Sequence, residues 1–152
     1  MRNWQDLIVW QESHKYVQEV YKFLKFFPKE EMFGIISQIK RAVVSIPTNI
    51  VEGHSKKSNK EFTRFLYISR GSLEEVKYLL LLSKDLGFLQ KKDFDYLMKK
   101  ALKIGYLLNG LIKSLSETST TFKTSNTPNS SNTSTTFNTF NTSNTSNTKE
   151  NK

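Results

Sequence analysis

Apolar positions recur at intervals of three and four residues through four stretches of the chain, with polar residues between them. Residues three or four apart share one face of a helix, so this spacing predicts amphipathic helices. We predict them at residues 6–26, 33–52, 58–86 and 91–116. No stretch combines strand-like alternation with hairpin signals, and no strand is predicted.

Each predicted helix carries one apolar face. The first is formed by Leu7, Trp10, His14, Val17, Tyr21 and Leu24, and the second by Ile35, Ile39, Ala42, Ile46 and Ile50. The third is formed by Phe62, Phe65, Leu66, Ser69, Leu73, Val76, Leu80, Ser83 and Leu86 or Gly87, and the fourth by Phe94, Leu97, Ala101, Ile104, Leu108, Leu111 and Leu115. Short connections make consecutive helices pack antiparallel. The fold class predicted is therefore all-α, an antiparallel up-down four-helix bundle.

Several residues are expected at helix ends. Pro28 ends the first helix, because the residue before a proline is pushed out of the helical region. Gly53 is expected to cap the second helix at its C-terminus. Ser58 and Glu61 have the spacing of a capping box at the start of the third, and Gly87 is expected to end that helix.

Pro47 lies inside the second predicted helix. A proline there removes one backbone hydrogen bond and costs about 3 kcal/mol. We therefore expect neighbouring helices to hold this turn in place. Thr48 and Asn49 are predicted to satisfy the carbonyl group that Pro47 leaves free.

Composition divides the chain in two. Residues 1–117 form the predicted bundle domain, whereas residues 118–152 are almost entirely Asn, Thr and Ser in a three-residue repeat. Such a polar tract buries too little surface to offset its ordering entropy, so a disordered low-complexity C-terminal tail is predicted.

The chain is strongly basic, with a formal net charge of +9. Most of this charge belongs to residues 1–117, where 20 lysines and arginines face 13 acidic residues. Proteins of this charge often contact nucleic acid or an anionic membrane surface, and the alternative is a merely soluble cationic surface. The N-terminus does not resemble a signal peptide, and the longest apolar run is four leucines. A cytoplasmic protein without a membrane-spanning helix is predicted.

Candidate catalytic chemistry is sparse. The chain has no cysteine and two histidines, His14 and His54. His14 lies on the predicted apolar face, which favours a packed or interface histidine over a general base. No Glu-x-x-His pair, phosphate-binding glycine loop or nucleophile motif is present. We predict no enzyme, no metal site and no cofactor.

Basic residues are better organised than acidic ones. Lys57, Lys60 and Arg64 share one predicted helical face, and other basic stripes follow along the third and fourth helices. Such stripes are suited to follow a phosphate backbone. The alternative for each stripe is a solvated face with ordinary pairs such as Glu61–Arg64 and Glu74–Lys77. The residues predicted to bind nucleic acid are Lys40, Arg41, Lys57, Lys60, Arg64, Lys99, Lys100 and Lys103.

A second group combines charged and amide side chains with apolar neighbours. If buried, these residues need partners, either in a network inside the bundle or at a subunit interface. The group consists of Arg41, Asn49, Glu52, Arg70 and Glu74. Pro47 and Gly53 are predicted to be structural residues of the same region.

Three motifs together resemble one family. They are Phe27-Pro28-Lys29-Glu30-Glu31, then Gln38-Ile39-Lys40-Arg41-Ala42 followed by Ser45-Ile46-Pro47-Thr48-Asn49-Ile50-Val51-Glu52-Gly53, and the run over residues 61–75. Over about residues 4–116 the chain resembles the four-helix-bundle proteins encoded in 23S ribosomal RNA intervening sequences. It is also similar to the accessory variability protein of diversity-generating retroelements. The resemblance implies a ring-shaped homopentamer that engages nucleic acid, and it carries over no catalytic residue.

Two functional hypotheses follow. The first is a non-enzymatic, basic, oligomeric bundle that binds RNA or DNA through phosphate contacts. The second is a protein-interaction adaptor or scaffold, for example for a reverse-transcriptase-like partner, without direct nucleic-acid binding.

Overall fold

Four helices account for most of the chain in the computed structural model. They are α1 (Ile8–Leu24), α2 (Ile35–Ser55), α3 (Asn59–Asp85) and α4 (Lys91–Thr124), with short 3-10 turns at Trp4–Asp6 and Lys29–Met32. The structure describes the backbone of residues 3–124 and the side chains of residues 3–117. Within these ranges, the predicted all-α class is confirmed.

The helices form a closed antiparallel bundle. α1 packs on α2, α2 on α3, α3 on α4, and α4 returns to α1. One end therefore holds the α1–α2 and α3–α4 connections, and the other holds the α2–α3 connection. α4 continues to Thr124 instead of ending near residue 116, because no glycine or proline lies between residue 116 and Pro128. Most of the predicted tail, residues 125–152, lies outside the described residues, so its disorder stays a prediction.

The buried face of α1 differs from the predicted one. Its core line is Val9, Ser13, Tyr16, Val20 and Leu24. The predicted residues His14 and Tyr21 are exposed instead. Large side chains with polar groups occur on both candidate faces of α1. Spacing alone therefore does not identify the buried face, and the predicted face is displaced from the observed one. The predicted faces of α2, α3 and α4 are buried at their central positions.

Pro47 is buried inside α2, as expected, and α3 braces the turn that contains it. The Ser69 hydroxyl group of α3 donates a hydrogen bond to the carbonyl oxygen of Ile46, at 2.9 Å. Both groups are shielded from water, and a buried carbonyl with an extra donor is well satisfied. The Pro47 turn is thus held by a neighbouring helix.

Thr48 and Asn49 do not satisfy the carbonyl that Pro47 leaves free. Their side chains donate to the carbonyl oxygens of Val44 and Ser45, at 2.8 and 2.7 Å. The reason is geometric, because a helical side chain of this length reaches back four residues, and Val43 lies five residues before Thr48 and six before Asn49. That prediction is wrong.

Gly53 is not a C-terminal cap. It lies within α2, is buried, and faces α3 where the two helices approach each other closely. A methyl group in its place would lie 2.6 Å from Cβ of Phe65. This glycine is therefore required by packing between helices, not by helix termination.

Of the two predictions about the ends of α3, the one at the C-terminus is correct and the one at the N-terminus is wrong. Gly87 has φ +79°, and the amide groups of Gly87 and Phe88 donate to the carbonyls of Lys84 and Ser83. This double bond pattern is a Schellman motif, so Gly87 ends the helix as predicted. The predicted capping box is absent from the N-terminus: the Ser58 side chain makes no capping bond, and Glu61 pairs with Arg64.

Candidate nucleic-acid interface

A basic groove runs between α1 and α2 at the end of the bundle that holds their connection. It consists of two adjoining hollows of about 460 and 280 Å³ that share Lys40. No carboxylate lines either hollow, and within the described residues none of the four cations has an ion-pair partner. The polar residues of this α1–α2 basic groove are Tyr21, Lys25, Lys29, Lys40, Arg41, Ser45 and Thr48.

Local structure explains how the groove is assembled. Pro28 turns the chain after α1, and the buried ring of Phe27 anchors this connection. Lys25 and Lys29 on either side of that anchor point to solvent. The Glu31 carboxylate, the nearest acid that contacts α2, accepts a hydrogen bond from the Ile35 amide at 3.2 Å. It therefore stabilises the helix N-terminus, and it is not among the residues that line the groove.

Lys40 and Arg41 are the two predicted binding residues that the groove brings together. The Lys40 ammonium group lies 5.6 Å from the ring centroid of Tyr21, a cation–π distance. Arg41 is exposed beside it. Periodicity missed Lys25 and Lys29, because they belong to a turn and are far from Lys40 in sequence. The combination of a Phe-Pro turn with flanking lysines is the only signal that the sequence offers for them.

Lys100 and Lys103 are among the residues predicted to bind nucleic acid, and each forms an ion pair with α1. Nζ of Lys100 lies 2.9 Å from Oε1 of Glu19, and Nζ of Lys103 lies 2.9 Å from Oε2 of Glu12. The hydrogen bond from Lys103 holds the pKa of Glu12 below its ordinary value, against the opposing effect of burial. The bond to Glu19 likewise raises the pKa of Lys100. These two lysines join helices, whereas exposed Lys99 has no ion-pair partner among the described residues.

The remaining predicted cations lie at the opposite end of the bundle. Lys57 and Lys60 are exposed at the α2–α3 connection and form no ion pair with a described residue. Arg64 pairs with Glu61 at 3.2 Å and lies over the ring of Phe65. Lys40 and Ser55 are fifteen residues apart on α2, which is ~22 Å at ~1.5 Å per residue. The predicted residues therefore form two basic surfaces and a set of helix-joining pairs, not one patch.

The five polar residues predicted to form a network or an interface do not contact one another. Asn49 bonds Ser45 in its own helix, and Arg70 donates to Oδ1 of Asn109 on α4, at 3.2 Å. Glu52 and Glu74 pair with the lysines that follow them by four and three residues, Lys56 and Lys77. Arg41 lies in the groove. Four of the five are exposed to solvent, so these side chains do not need one another as hydrogen-bond partners.

Catalytic or metal-binding geometry was not found in the described residues. Among them, no group of three or more histidines or carboxylates is placed to hold a metal ion. The His14 ring stacks on Trp10 and bonds Gln18, and the His54 ring meets Phe62 edge-on. Each histidine ring thus has a packing partner. None of the helices within residues 3–124 combines the length and apolar character of a membrane span.

Fold and surface together define a class, that of the basic four-helix-bundle proteins. The chain belongs to the 23S rRNA-intervening sequence protein family, whose model matches residues 5–110. A solved structure from Bacteroides thetaiotaomicron, described as a protein with unknown function from the S23 ribosomal protein family, is 26% identical with a TM-score of 0.62. The match covers 70% of this chain and 99% of that one. No curated protein matches the chain. The family resemblance stated from the motifs is confirmed.

Proposed function

We propose that this protein is a non-enzymatic, basic bundle that binds RNA or DNA through phosphate contacts in the α1–α2 basic groove. The observation that carries the proposal is the charge of that groove. Four cations line two adjoining hollows without a carboxylate among the lining residues. Phosphates bound there would release condensed counterions, which is the main source of non-specific affinity for nucleic acid.

The chemistry of the individual groups supports the same function. Arg41 offers a planar fork of donors that matches phosphate oxygens, whereas the three lysines act as point charges. Ser45 and Thr48 line the same hollow, but their hydroxyl groups are bonded within the bundle, to Ser72 and to the Val44 carbonyl, so the cations provide the phosphate contacts. Exposed Lys57 and Lys60 provide a second basic surface at the other end, and Lys99 on α4 adds an exposed cation with no ion pair among the described residues.

A binding titration at several salt concentrations tests the proposal. We expect the affinity of the full chain for a labelled oligonucleotide to fall linearly on a log–log plot against salt. The double variant Lys40→Gln, Arg41→Gln removes two phosphate contacts, so the slope should fall by ~1.5–2. Undetectable binding, or binding insensitive to salt, would refute the function.

The matched control removes the same charge at the opposite end. Lys57→Gln with Lys60→Gln should change the slope less than the groove variant does. If the control has the larger effect, nucleic acid binds at the α2–α3 end, and the groove is not the main site.

A protein-interaction adaptor is the second candidate, favoured by an exposed stripe on α3. Tyr67, Tyr78 and Leu81 are exposed and fall on one face by their spacing of eleven and three residues. Such a stripe suits contact with another protein, including further copies of this chain in the homopentamer that the family resemblance implies. A protein captured from lysate after nuclease treatment would support the adaptor. Light scattering of the full chain measures the oligomer, and a monomer mass would refute the pentamer.

A further inference from the structure

Two phenylalanines at the α1–α2 connection are almost fully exposed. Phe33 is 92% exposed and Phe26 is 84% exposed. Exposed apolar residues that are scattered singly are ordinary, whereas exposed apolar residues that are grouped mark interaction sites. Met32, which is also exposed, lies between them in the chain.

The fold fixes both rings outward. Phe27 is buried, and its ring lies 6.1 Å from that of Phe88 in the α3–α4 connection. Its neighbour Phe26 is consequently left on the solvent side. Phe33 directly precedes Gly34, the N-cap residue of α2, so its position is set by the start of that helix.

Cations that form no ion pair with a described residue surround these rings. Lys22 and Lys92 line a groove of about 620 Å³ together with Phe26. Lys25 and Lys29 of the α1–α2 basic groove belong to the same connection. Of the acids nearby, Glu19 is held by Lys100 and Tyr96, and Glu31 by the Ile35 amide. Glu19 and Asp93 line this groove with the two lysines, and Glu30 of the connection is exposed. The excess of positive charge therefore comes from the four cations of the α1–α2 basic groove.

Exposed aromatic rings beside a basic track are the recognition elements of single-stranded nucleic acid. Unpaired bases stack on such rings, while the bases of a duplex are already stacked on each other and present only their edges. We infer that the α1–α2 basic groove and the adjoining α1–α2 connection bind single-stranded RNA or DNA. Unpaired bases stack on Phe26 and Phe33, and the phosphates contact the neighbouring lysines and Arg41. This inference rests on the proposed function and adds the class of nucleic acid.

The test compares one strand with its duplex. The full chain is titrated with labelled oligo(dT) of about 20 nucleotides, longer than the ~4–16 nucleotides of many single-strand sites, and with the oligo(dT)·oligo(dA) duplex. Duplex carries the higher charge density, so charge alone favours it. We expect the single strand to bind more tightly, and Phe26→Ala with Phe33→Ala to weaken it at least about fivefold for each ring while leaving duplex binding unchanged.

The matched control is Tyr106→Ala. Tyr106 is 85% exposed, but it lies on α4, fifteen residues or ~22 Å beyond the helix start that borders Phe26. Its removal should leave single-strand affinity unchanged. All variants are exposed-site changes, and thermal melting should confirm an unchanged fold.

Each contrary outcome has a separate meaning. If the chain binds neither probe, the proposed function fails. If it binds both probes in a salt-dependent way and the phenylalanine variant loses nothing, only the single-strand inference fails. A phenylalanine variant with altered mass in light scattering shows an interface between copies, and one that loses only binding to anionic lipid vesicles shows a membrane contact. Either result overturns the inference.

Discussion

Gly53 of α2 and Phe65 of α3 meet where no side chain fits between them. A Cβ atom on Gly53 would lie 2.6 Å from Cβ of Phe65 and 2.8 Å from Cδ2 of Phe62. Both distances are far inside van der Waals contact, and the Phe65 atom is fixed to its backbone. The contact sets the separation of α2 and α3 near the α2–α3 connection.

Gly53→Ala should therefore destabilise the protein although alanine is the better helix former. Overpacking at such a site costs about 1–3 kcal/mol, against a gain of at most ~1 kcal/mol in helix propensity. Urea unfolding followed by circular dichroism measures the difference. Gly71→Ala is the control, because a Cβ at this α3 position meets nothing within 4 Å. That variant should gain about 0.5–1 kcal/mol. Equal effects of the two would contradict the close approach.

Ser69→Ala should cost more than Ser83→Ala, although both serines are fully buried. The Ser69 hydroxyl bonds Ile46 of another helix beside Pro47, whereas the Ser83 hydroxyl bonds Leu79 in its own helix. Loss of the interhelical bond should lower the free energy of unfolding by ~1 kcal/mol, and loss of the local one should be nearly neutral. Equal denaturant midpoints for the two variants would show that Ser69 does not brace the turn.

Tyr16→Phe is expected to preserve or increase stability. The Tyr16 hydroxyl group is buried and has no hydrogen-bond partner among the described residues. Burial, with a smaller effect of nearby Glu19, raises the pKa of this phenol well above its ordinary value. Removing an unpaired buried hydroxyl group relieves its desolvation cost, on the order of 1 kcal/mol. A melting temperature lowered by the substitution would mean that this hydroxyl group makes a stabilising bond.

The Glu12–Lys103 pair should make stability fall in acid. Because its hydrogen bond to Lys103 lowers the pKa of folded Glu12 below the ordinary 4.5, this carboxylate stabilises the fold above that pH. The contribution disappears as pH falls through the folded-state pKa. It should be less than ~1 kcal/mol, since the pair is partly exposed.

Glu12→Gln isolates this effect. The variant should lose stability near neutral pH and converge with the parent chain in acid. Glu75→Gln is the control, because Glu75 is exposed and has no ion pair within the described residues. Unfolding curves at neutral pH and below pH 4.5 provide the comparison. If the free energies of unfolding of the parent chain and the Glu12 variant change with pH in parallel, the Glu12–Lys103 pair does not contribute to the pH dependence of stability.

Periodicity predicted the helices because most apolar residues of this chain are aliphatic and regularly spaced. The line from Ile35 to Ile50 is an example, and its members are buried. α1 was misassigned because its core includes Ser13 and the ring of Tyr16, which spacing does not distinguish from His14 and Tyr21. Gly53 shows a similar limit, since a glycine near a helix end resembles a cap whether the constraint is backbone angle or a neighbouring helix.

The candidate site was predictable only in part. Lys40 and Arg41 are adjacent on α2 and were found from the sequence. Lys25 and Lys29 join them through the turn after α1, and no helical period connects a turn to a helix. The acids that neutralise Lys100 and Lys103 lie more than eighty positions earlier in the chain, so only tertiary structure reveals that these two cations are engaged.

The closed order of the helices has a kinetic consequence. Three of the four helix pairs join neighbours through short connections, and only α1–α4 brings together opposite ends of the fold. Closing that long loop carries the largest entropy cost, so α4 should dock on α1 last during folding. The contact between α1 and α4 should also be the first to open in the native state. Amide protons that depend on α1–α4 contact should then exchange with solvent sooner than those between α2 and α3.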